Sequence, residues 1–473
     1  MHEGQRGVKM SRGKTSSQKD KLFLFEEMPI PSAILKLSVP IVISSLVTII
    51  YNLADTFFVG MINDPIQNAA VTLVYPIMMG FNTINNLFGI GTSSMMSRKL
   101  GVGEYDNVQR ASAFGFWGAC SCAVILSLVT ALFKYPVLEL LGSDGSTIDA
   151  ASAYMLWTVN LGAVPAILNV IMAYMFRSEG STFHASIGTM SGCILNIILD
   201  PFFILPQYLG MGAAGAGLAT FLSNCCASAY FLVLYVTRKD STYISINPKK
   251  LKSVSKEVVL GVLGVGVPSS IQNILKVTTS AVLNNLTAGY GAVAVAAMGI
   301  SYKIFTVPSQ IALGFSQGMM PLVSYNYASK NFKRMKKAIT HTISIVFPIM
   351  LSLTIVYWIC SRSLITLFIQ EPEIVSYGSI FLRRMCIGIC FHFFDFLVVN
   401  IFQALGMGKR ALLFAIIRKL VLEIPLLFML DYFNPLYGLA SAQCITEIVL
   451  STIAVATLSR IFKETSERML AQD

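Results

Sequence analysis

Twelve long apolar segments restrict the fold of this 473-residue chain more than any other feature of its sequence. A helix needs about 20 predominantly apolar residues to cross the hydrocarbon core of a bilayer, where loops and open sheet edges cannot exist in contact with lipid. The segments reach that length, so the sequence predicts an all-α polytopic membrane protein. The predicted spans are residues 33–60, 67–97, 111–134, 151–176, 184–205, 213–237, 257–288, 292–325, 339–360, 376–405, 411–430 and 436–459.

The composition leaves little room for a soluble domain. Charged residues make up 12% of the chain and its mean hydropathy is +0.67, whereas soluble domains carry about 25% charged residues. The net charge of +11 could indicate a nucleic-acid partner, but the basic residues cluster at one set of helix ends. We therefore expect the acidic partner to be the membrane lipids, and no nucleic acid.

The distribution of basic residues predicts the orientation of the chain. Most of the 35 lysines and arginines fall in the two terminal tails and in alternate loops, among which we count Arg418 and Lys419. The opposite loops keep only Lys134 and Arg362. Because cytoplasmic loops are enriched in Lys and Arg, we expect a multi-pass protein of the bacterial inner (plasma) membrane with both termini in the cytoplasm.

The chain also contains an internal repeat. Ser38-Val-Pro40 recurs as Gly266-Val-Pro268, and Met95-Met96 recurs as Met319-Met320. The offset of about 225 residues is nearly constant, which is typical of a duplicated structural unit. We expect two pseudo-symmetric six-helix bundles, an architecture common in alternating-access transporters.

These observations divide the chain into five parts. We predict a cytoplasmic N-terminal tail at 1–30, an N-lobe at 31–237, a cytoplasmic linker at 238–256, a C-lobe at 257–460 and a cytoplasmic C-terminal tail at 461–473. The first tail is polar and basic, and its short apolar run does not reach the length of a signal-peptide core. We expect this tail to be flexible.

One carboxylate lies in a segment that otherwise suits the hydrocarbon layer. Asp200 follows Asn196 by four residues, so both project from nearly the same helix face, and Pro201 frees a backbone carbonyl nearby. An Asp at the bilayer centre costs roughly 2.5–3.5 kcal/mol on insertion scales and usually serves a function. The arrangement predicts a site for a proton or a small cation.

The sequence gives no indication of an enzyme. It contains no phosphate-binding loop, zinc-ligand pattern or nucleophile elbow. The Gly-rich run 210–217 opens an apolar segment and lacks the Lys-Ser/Thr ending of a phosphate loop. We therefore expect neither catalysis nor ATP-driven transport, and no cofactor.

Several of these motifs together resemble the multidrug and toxic compound extrusion (MATE) family over nearly the whole chain. They are Asn52-Leu-Ala-Asp55-Thr-Phe-Phe-Val-Gly60, Gly91-Thr-Ser-Ser and Asn196-x3-Asp200-Pro201, with the twofold repeat. The opening segment resembles the MepA-like branch. The resemblance implies two lobes that form a V, a central cavity, a monomer, and export of cationic lipophilic drugs and dyes in exchange for H⁺ or Na⁺.

The resemblance also implies a coupling site in the N-lobe. The DinF-like branch uses an Asp in the first helix, an Asn and an Asp four residues apart in the fifth, and a Thr in the sixth. Asp55, Asn196, Asp200 and Thr220 match these positions. They are the candidate residues for proton or cation coupling, and Asp55, Asn196 and Asp200 for Na⁺.

In the C-lobe the match to the family is weaker. The NorM-type branch places acids in the seventh and tenth helices, whereas here the seventh span carries Lys276 and the tenth only Asp395. Two interpretations of Lys276 and Lys303 stay open. They form ion pairs with Asp395, Glu423 or Glu447, or they line the cavity and repel cations from the C-lobe.

Further polar residues are candidates for the substrate cavity. They include Tyr51, Asn52 and Asn82, beside Lys276, Lys303 and Asp395. For Arg383 and Arg384 we expect side chains that reach the outer headgroups. A lipid-linked oligosaccharide flippase of the same superfamily is the alternative function, because such proteins line their cavity with basic residues. A receptor or scaffold without transport would not need a buried acid cluster.

Overall fold

The computed structural model describes residues 16–470, with side chains from 21 to 467, and every regular element in that range is helical. Short π-helical segments at Asn86–Ile90, Leu156–Leu161 and Ile417–Glu423 connect consecutive helices. The α-helices are α1 Ser16–Glu26, α2 Ile30–Gly60, α3 Pro65–Asn85, α4 Gly91–Gly101, α5 Tyr105–Leu132, α6 Lys134–Leu140, α7 Ile148–Met155, α8 Ala163–Ser178, α9 Thr182–Ile204, α10 Gly212–Thr237, α11 Lys256–Ala288, α12 Ala292–Ala328, α13 Phe332–Thr366, α14 Pro372–Cys386, α15 Ile389–Ala404, α16 Gly408–Ile416, α17 Ile424–Phe433 and α18 Tyr437–Leu470.

The helices account for the twelve predicted spans. Within the described residues, eight helices are long and apolar enough to cross a membrane, and ten spans result if α7–α8 and α14–α15, bent by 45° and 51°, each count as one. The two predicted spans not yet accounted for, 67–97 and 411–430, coincide with α3–α4 and α16–α17, which π-helical segments interrupt. The protein is an all-α membrane protein of two helical bundles, the first half α2–α10 and the second half α11–α18.

Local sequence explains where several helices begin. Asp64 caps α3 by accepting a hydrogen bond from the N–H of Ile66 at 2.9 Å, and Pro65 occupies the first helical position. Ser255 and Asn331 cap α11 and α13 in the same way. These side chains satisfy backbone donors that would otherwise lack a partner at a helix start.

The two halves contact each other at one end of the bundle, which we call the closed end. It is formed by residues 38–42 and 83–101 of the first half and residues 261–270 and 314–325 of the second. The termini of α4, α11 and α12 place this end on the side that the basic loops predict to be cytoplasmic.

Small residues permit close backbone contact at the closed end. A Cβ atom on Gly266 would lie 1.8 Å from the carbonyl oxygen of Leu87, and one on Gly318 would lie 2.5 Å from the Cα of Ser38. Ser38 and Gly266 are equivalent positions of the internal repeat. Each half thus inserts the same segment of its first helix against the other half, as pseudo-twofold symmetry requires.

The tails differ from the expected ones where the structure describes them. Residues 16–26 form α1, whose Leu22, Leu24 and Phe25 are buried. This part of the N-terminal tail therefore packs against the rest of the protein, whereas the sequence predicted a flexible tail. At the other end α18 continues to Leu470 without a break at residue 460. Residues 1–15 and 471–473 of the predicted tails lie outside the described residues.

We expect Gly266→Ala to destabilise the closed end. The added methyl group must displace the backbone at Leu87, and overpacking of this kind costs typically 1–3 kcal/mol. Thermal unfolding in detergent should show a lower midpoint than the wild type. Gly264→Ala is the matched control, because a Cβ there meets nothing within 4 Å; equal midpoints for the two variants would contradict the close approach.

Candidate functional site

Three helices of the first half bring the predicted coupling residues together. Asp200 and Asn196 lie on α9 and are buried, with exposed fractions of 0% and 1%. In the amide orientation that satisfies its neighbours, Asn196 Nδ2 donates to Asp200 Oδ2 at 2.9 Å, and its Oδ1 accepts from the N–H of Thr220 on α10 at 3.1 Å. The Asn therefore fixes the position of the carboxylate relative to α10.

Asp55 supplies a second carboxylate from α2. It lies within electrostatic range of Asp200, and its Oδ1 is buried without a hydrogen-bond partner. Within the described residues, neither carboxylate has a salt bridge to a basic side chain. Asp200 lies in the last turn of α9, nearer the helix end than the mid-span position that its apolar surroundings suggest.

Two tyrosines complete this cluster. Tyr51 and Tyr154 both interact electrostatically with Asp55 and Asp200. Tyr51 was a predicted cavity residue, whereas sequence analysis missed Tyr154. A tyrosine in a predicted span usually places its hydroxyl near a polar partner. This is the signal in the sequence that could have identified Tyr154.

The chemistry of the cluster suits a small cation. Two carboxylates within electrostatic range of each other, one of them fully buried, repel each other unless a proton or cation lies with them. The neighbouring amide and hydroxyl oxygens are hard donors of the kind that proton and alkali-cation sites use. The geometry can thus accommodate a proton or a small cation that binds and is released.

The second half also contains buried acids, but they are paired. Arg418 forms salt bridges with Asp395 and Glu447. The Nδ1 atom of His392 lies 2.9 Å from Glu447 Oε1 and 3.0 Å from Arg418 Nη2. His392, Asp395 and Glu447 could by their spacing hold a metal ion, but the guanidinium already occupies the space between the two acids.

This network corrects two expectations. Arg418 and Lys419 do not belong to a cytoplasmic loop, since they lie in the π-helical segment Ile417–Glu423, where Lys419 pairs with Glu423 at 2.5 Å. Asp395, with a side chain only 3% exposed, does not fit the predicted cavity lining. In both cases the charge is neutralised inside the bundle: Arg418 pairs with Asp395 across helices, and Lys419 pairs with Glu423 one helical turn away.

The predicted pairing of the two lysines with these acids is therefore wrong. Asp395 and Glu447 pair with Arg418, and Glu423 pairs with Lys419. Lys276 and Lys303 are exposed and have no salt bridge within the described part of the chain.

Four of the predicted cavity residues are exposed along the predicted spans: Asn52, Asn82, Lys276 and Lys303. Lipid cannot satisfy an amide or an ammonium, so such side chains in spans normally face a water-filled cavity or the protein interior. This favours the second interpretation of the lysines, in which they line the cavity. Lys276 interacts most closely with Lys419, Arg418 and Glu423.

Arg383 and Arg384 bond to neighbouring helices. Arg383 Nε donates to Ser361 Oγ at 2.8 Å, and Arg384 Nη1 donates to the carbonyl of Tyr437 at 3.0 Å. The guanidinium of Arg384 also lies over the Tyr437 ring. Both arginines connect helices of the second half, near the end of α13 and the start of α18.

An enclosed cavity between the halves is too small for a drug. It lies at the closed end, has a volume of about 20 Å³ and is lined by Tyr174, Arg177, Gln317 and Asn400 among others. That volume accommodates about one water molecule. This cavity is therefore not a candidate for the substrate site.

Two paired helical bundles meet at one end, and among the described residues the first bundle holds two carboxylates of the spans, Asp55 and Asp200, without a salt bridge. This arrangement is typical of a membrane transporter built from internal repeats. The family model MatE matches residues 40–202 and 268–429, so the chain belongs to the MATE family of transporters. The second match begins at residue 268 and the first at residue 40, which confirms the internal repeat.

Curated relatives align over almost the entire chain. The multidrug export protein MepA of Staphylococcus saprophyticus is 30% identical over 438 residues, which are 92% of this chain and 95% of the relative. The MepA protein of Staphylococcus aureus is 30% identical over 446 residues, covering 94% and 96% of the two chains.

Solved structures share the fold. An outward-facing multidrug resistance MATE transporter superposes with a TM-score of 0.88 at 24% identity, over 96% of this chain and 99% of the other. A Pyrococcus furiosus transporter described as having a binding pocket of reverse polarity superposes with a TM-score of 0.85 at 24% identity, with the same coverage.

We expect Arg418→Met to destabilise the second half strongly. Removal of the guanidinium leaves Asp395 and Glu447 buried without their cation, and breaking a buried ion pair costs about 3–5 kcal/mol. Thermal unfolding should show a large decrease in the midpoint, which the triple variant Arg418→Met, Asp395→Asn, Glu447→Gln should largely restore.

Arg410→Met is the matched control for this experiment, because Arg410 is exposed near the start of α16, which leads into the π-helical segment that contains Arg418. A midpoint of Arg418→Met equal to that of the control would exclude the network as a structural element.

Proposed function

We propose that this protein is a secondary active exporter of cationic lipophilic compounds, which it exchanges for H⁺ or Na⁺ by alternating access. The observation that carries the proposal is the pair of carboxylates in the first half, Asp200 buried and Asp55 half-buried, which have no salt bridge among the described residues. Membership of the MATE family and the multidrug export proteins among its relatives support the substrate class.

The proposed location is the plasma membrane of a bacterium, with the closed end and both termini on the cytoplasmic side. Apart from Arg418 and Lys419, those of the basic residues behind this orientation that the structure describes lie near the ends of helices or in the connections between them, which supports it. We propose that a cleft between the halves opens on the opposite side and in this orientation faces outward.

In the proposed cycle, a proton or Na⁺ enters from the outside and binds at Asp200 and Asp55. The bound charge removes the repulsion between the carboxylates and permits α2 to repack. Because α2 carries Asp55 near one end and Ser38 at the closed end, a change in its packing reaches the contact between the halves. Pro40 within α2 is a suitable place for bending.

Ion gradients supply enough energy for this cycle. One pH unit is worth about 1.36 kcal/mol, and a membrane potential of 100 mV adds about 2.3 kcal/mol for each charge that crosses. Coupling requires only that ion and drug bind to different conformations or exclude each other.

The proposed substrate cavity is the cleft, lined by Tyr51, Asn52 and Asn82 of the first half and by Lys276 and Lys303 of the second. An aromatic ring contributes about 0.5–2 kcal/mol to the binding of a cation, and the amides can orient polar groups of diverse ligands. We propose that the protein acts as a monomer in the lipid bilayer and without a cofactor. Export of toxic compounds would confer antibiotic resistance.

We expect Asp200→Asn and Asp55→Asn to lose gradient-driven transport, because an amide cannot take up and release a proton and binds Na⁺ weakly. Ethidium efflux should be measured in proteoliposomes, driven first by a pH jump and then by a Na⁺ jump; the effective gradient identifies the coupling ion. Transport should decrease at least about 100-fold, the scale of loss seen when a general acid–base group is removed.

Asp149→Asn is the control, since Asp149 is an exposed residue in the first turn of α7. Full gradient-dependent transport by both Asp200→Asn and Asp55→Asn would eliminate the proposed coupling site. An ionophore should abolish wild-type efflux; efflux that is insensitive to it would favour the lipid-linked oligosaccharide flippase.

We expect Lys276→Gln to improve export of dicationic compounds relative to monocationic ones. Removing one ammonium from the cavity lowers the repulsion of each ligand charge by about 1 kcal/mol at 4 Å in water, roughly a fivefold effect on affinity. Competition of a monocationic and a dicationic dye in the efflux assay measures the ratio. Lys134→Gln, outside the proposed cavity, should leave the ratio unchanged, and an unchanged ratio in Lys276→Gln would place Lys276 elsewhere.

A further inference from the structure

The helix α1 precedes the first predicted span, and neither the transport site nor the repeat accounts for it. Its Leu22, Leu24 and Phe25 are buried, with Phe25 only 1% exposed, whereas Phe23 on the opposite face is 45% exposed. A helix of 11 residues is marginal on its own in water, so contacts with the rest of the protein must hold α1 in place.

On one side α1 binds the first half. Lys21 Nζ donates to Glu179 Oε1 at 2.5 Å and to the carbonyl of Ser241 at 3.0 Å. The Phe25 ring packs against Gly180, where an added Cβ would lie 3.3 Å from its Cζ atom. Gly180 has φ +87, which glycine adopts without strain.

The carboxylate that receives Lys21 is firmly fixed. Glu179 is 0% exposed, and its Oε2 accepts hydrogen bonds from Thr242 Oγ1 and from the N–H of Tyr243, both at 2.9 Å. A buried carboxylate with two neutral donors still needs a cation nearby, and Lys21 supplies it. The ion pair therefore connects α1 to the end of α8 and to the linker between the halves.

On its other side α1 binds the second half. The Phe25 ring stacks on Tyr325 of α12 with 5.0 Å between the ring centroids and 11° between the planes. Arg334 of α13 donates from Nε to the carbonyl of Phe25 and from Nη2 to that of Met28, both at 2.6 Å. Asn326 Nδ2 donates to the carbonyl of Phe25 at 3.2 Å.

These contacts lie at the seam between the halves. Tyr325 belongs to the closed end, where a Cβ on Gly101 of the first half would lie 2.3 Å from its carbonyl oxygen. Separation of the halves at this end must therefore move Glu179 and Gly180 away from Tyr325 and Arg334. If α1 stays bound to both pairs of residues, it cannot move with both halves at once.

We propose that α1 is a latch that stabilises the closed end and must release one half before that end opens. Lys21 and Phe25 act together, one on each side of the seam. The latch rests on contacts outside the transport site, and it is independent of which ion or drug the protein carries.

The test is hydrogen–deuterium exchange of the full-length protein in lipid nanodiscs, followed by mass spectrometry of the peptides that cover residues 312–328. The variants Phe25→Ala and Lys21→Met each remove one side of the latch, and Phe23→Ala is the matched control on the exposed face of the same helix. Each latch variant should exchange at least about tenfold faster than the wild type in these peptides, which corresponds to a shift of about 1.4 kcal/mol in the opening equilibrium.

Two outcomes would overturn the latch. One is exchange of residues 312–328 that matches the Phe23→Ala control in both variants, and the other is faster exchange confined to α1 itself. If Phe25→Ala does not fold, the exchange of Lys21→Met and Arg334→Lys decides whether the latch exists. Lys333→Ala is the control for Arg334→Lys, because Lys333 is an exposed neighbour on α13. Hydrogen–deuterium exchange does not require transport, so this test of the latch can be interpreted even if the antiport proposal fails.

Discussion

The absence of water from the hydrocarbon layer governs this structure, because every polar group in a span needs a partner within the protein, in a cavity or in a transported ion. The two halves meet this requirement differently. The second half neutralises Asp395 and Glu447 with Arg418. The first half surrounds Asp200 with Asn196 and Thr220, which are neutral, and leaves an oxygen of Asp55 without a hydrogen bond. Among the described residues, the acids of the spans that lack a salt bridge therefore lie in the first half, and this asymmetry within a symmetric fold favours the first half as the place of the proposed coupling site.

The helix α2 is the element through which that site can act on the rest of the molecule. Thr48 of α2 approaches Cys193 of α9 at 3.6 Å, and Ser38 bonds the carbonyl of Phe315 on α12 at 3.4 Å. The same helix therefore packs on the first half near Asp55 and on the second half at the closed end. A two-state change needs an element whose position both sites influence, and α2 satisfies that requirement by contact.

Hydropathy and the repeat predicted the fold because spanning helices are governed by length and apolarity, which a one-dimensional sequence displays directly. The grouping of Asp55, Asn196, Asp200 and Thr220 came instead from the resemblance to the MATE family. Arg418 escaped prediction for a physical reason: its partners Asp395 and Glu447 are on other helices, and only the packing of α15, α16 and α18 brings them to it. A count of loop charges assigns such a residue to the surface.

The N-terminal tail shows a second limit of sequence analysis. The run Leu22 to Phe25 is too short to span a membrane, and its polar surroundings predict flexibility. Its apolar side chains are nevertheless buried, because the seam between the halves provides a surface that neither half has alone. Structure that depends on the assembled tertiary surface has no periodic pattern of its own in the sequence.

The closed end must be stable but reversible, and its residues fit that requirement. Alternating access needs two conformations that differ by only a few kcal/mol, since an ion gradient supplies no more than that per charge. Backbones that meet at Gly266 and Gly318 gain close contact without interlocked large side chains. The ion pair between Lys99 and Glu257 crosses the seam at 2.6 Å, but Glu257 is largely exposed, and exposed pairs contribute about 0–1 kcal/mol. Weak contacts distributed along the seam, with α1 across it, can therefore be disrupted by a change at Asp55 that is itself worth only a few kcal/mol.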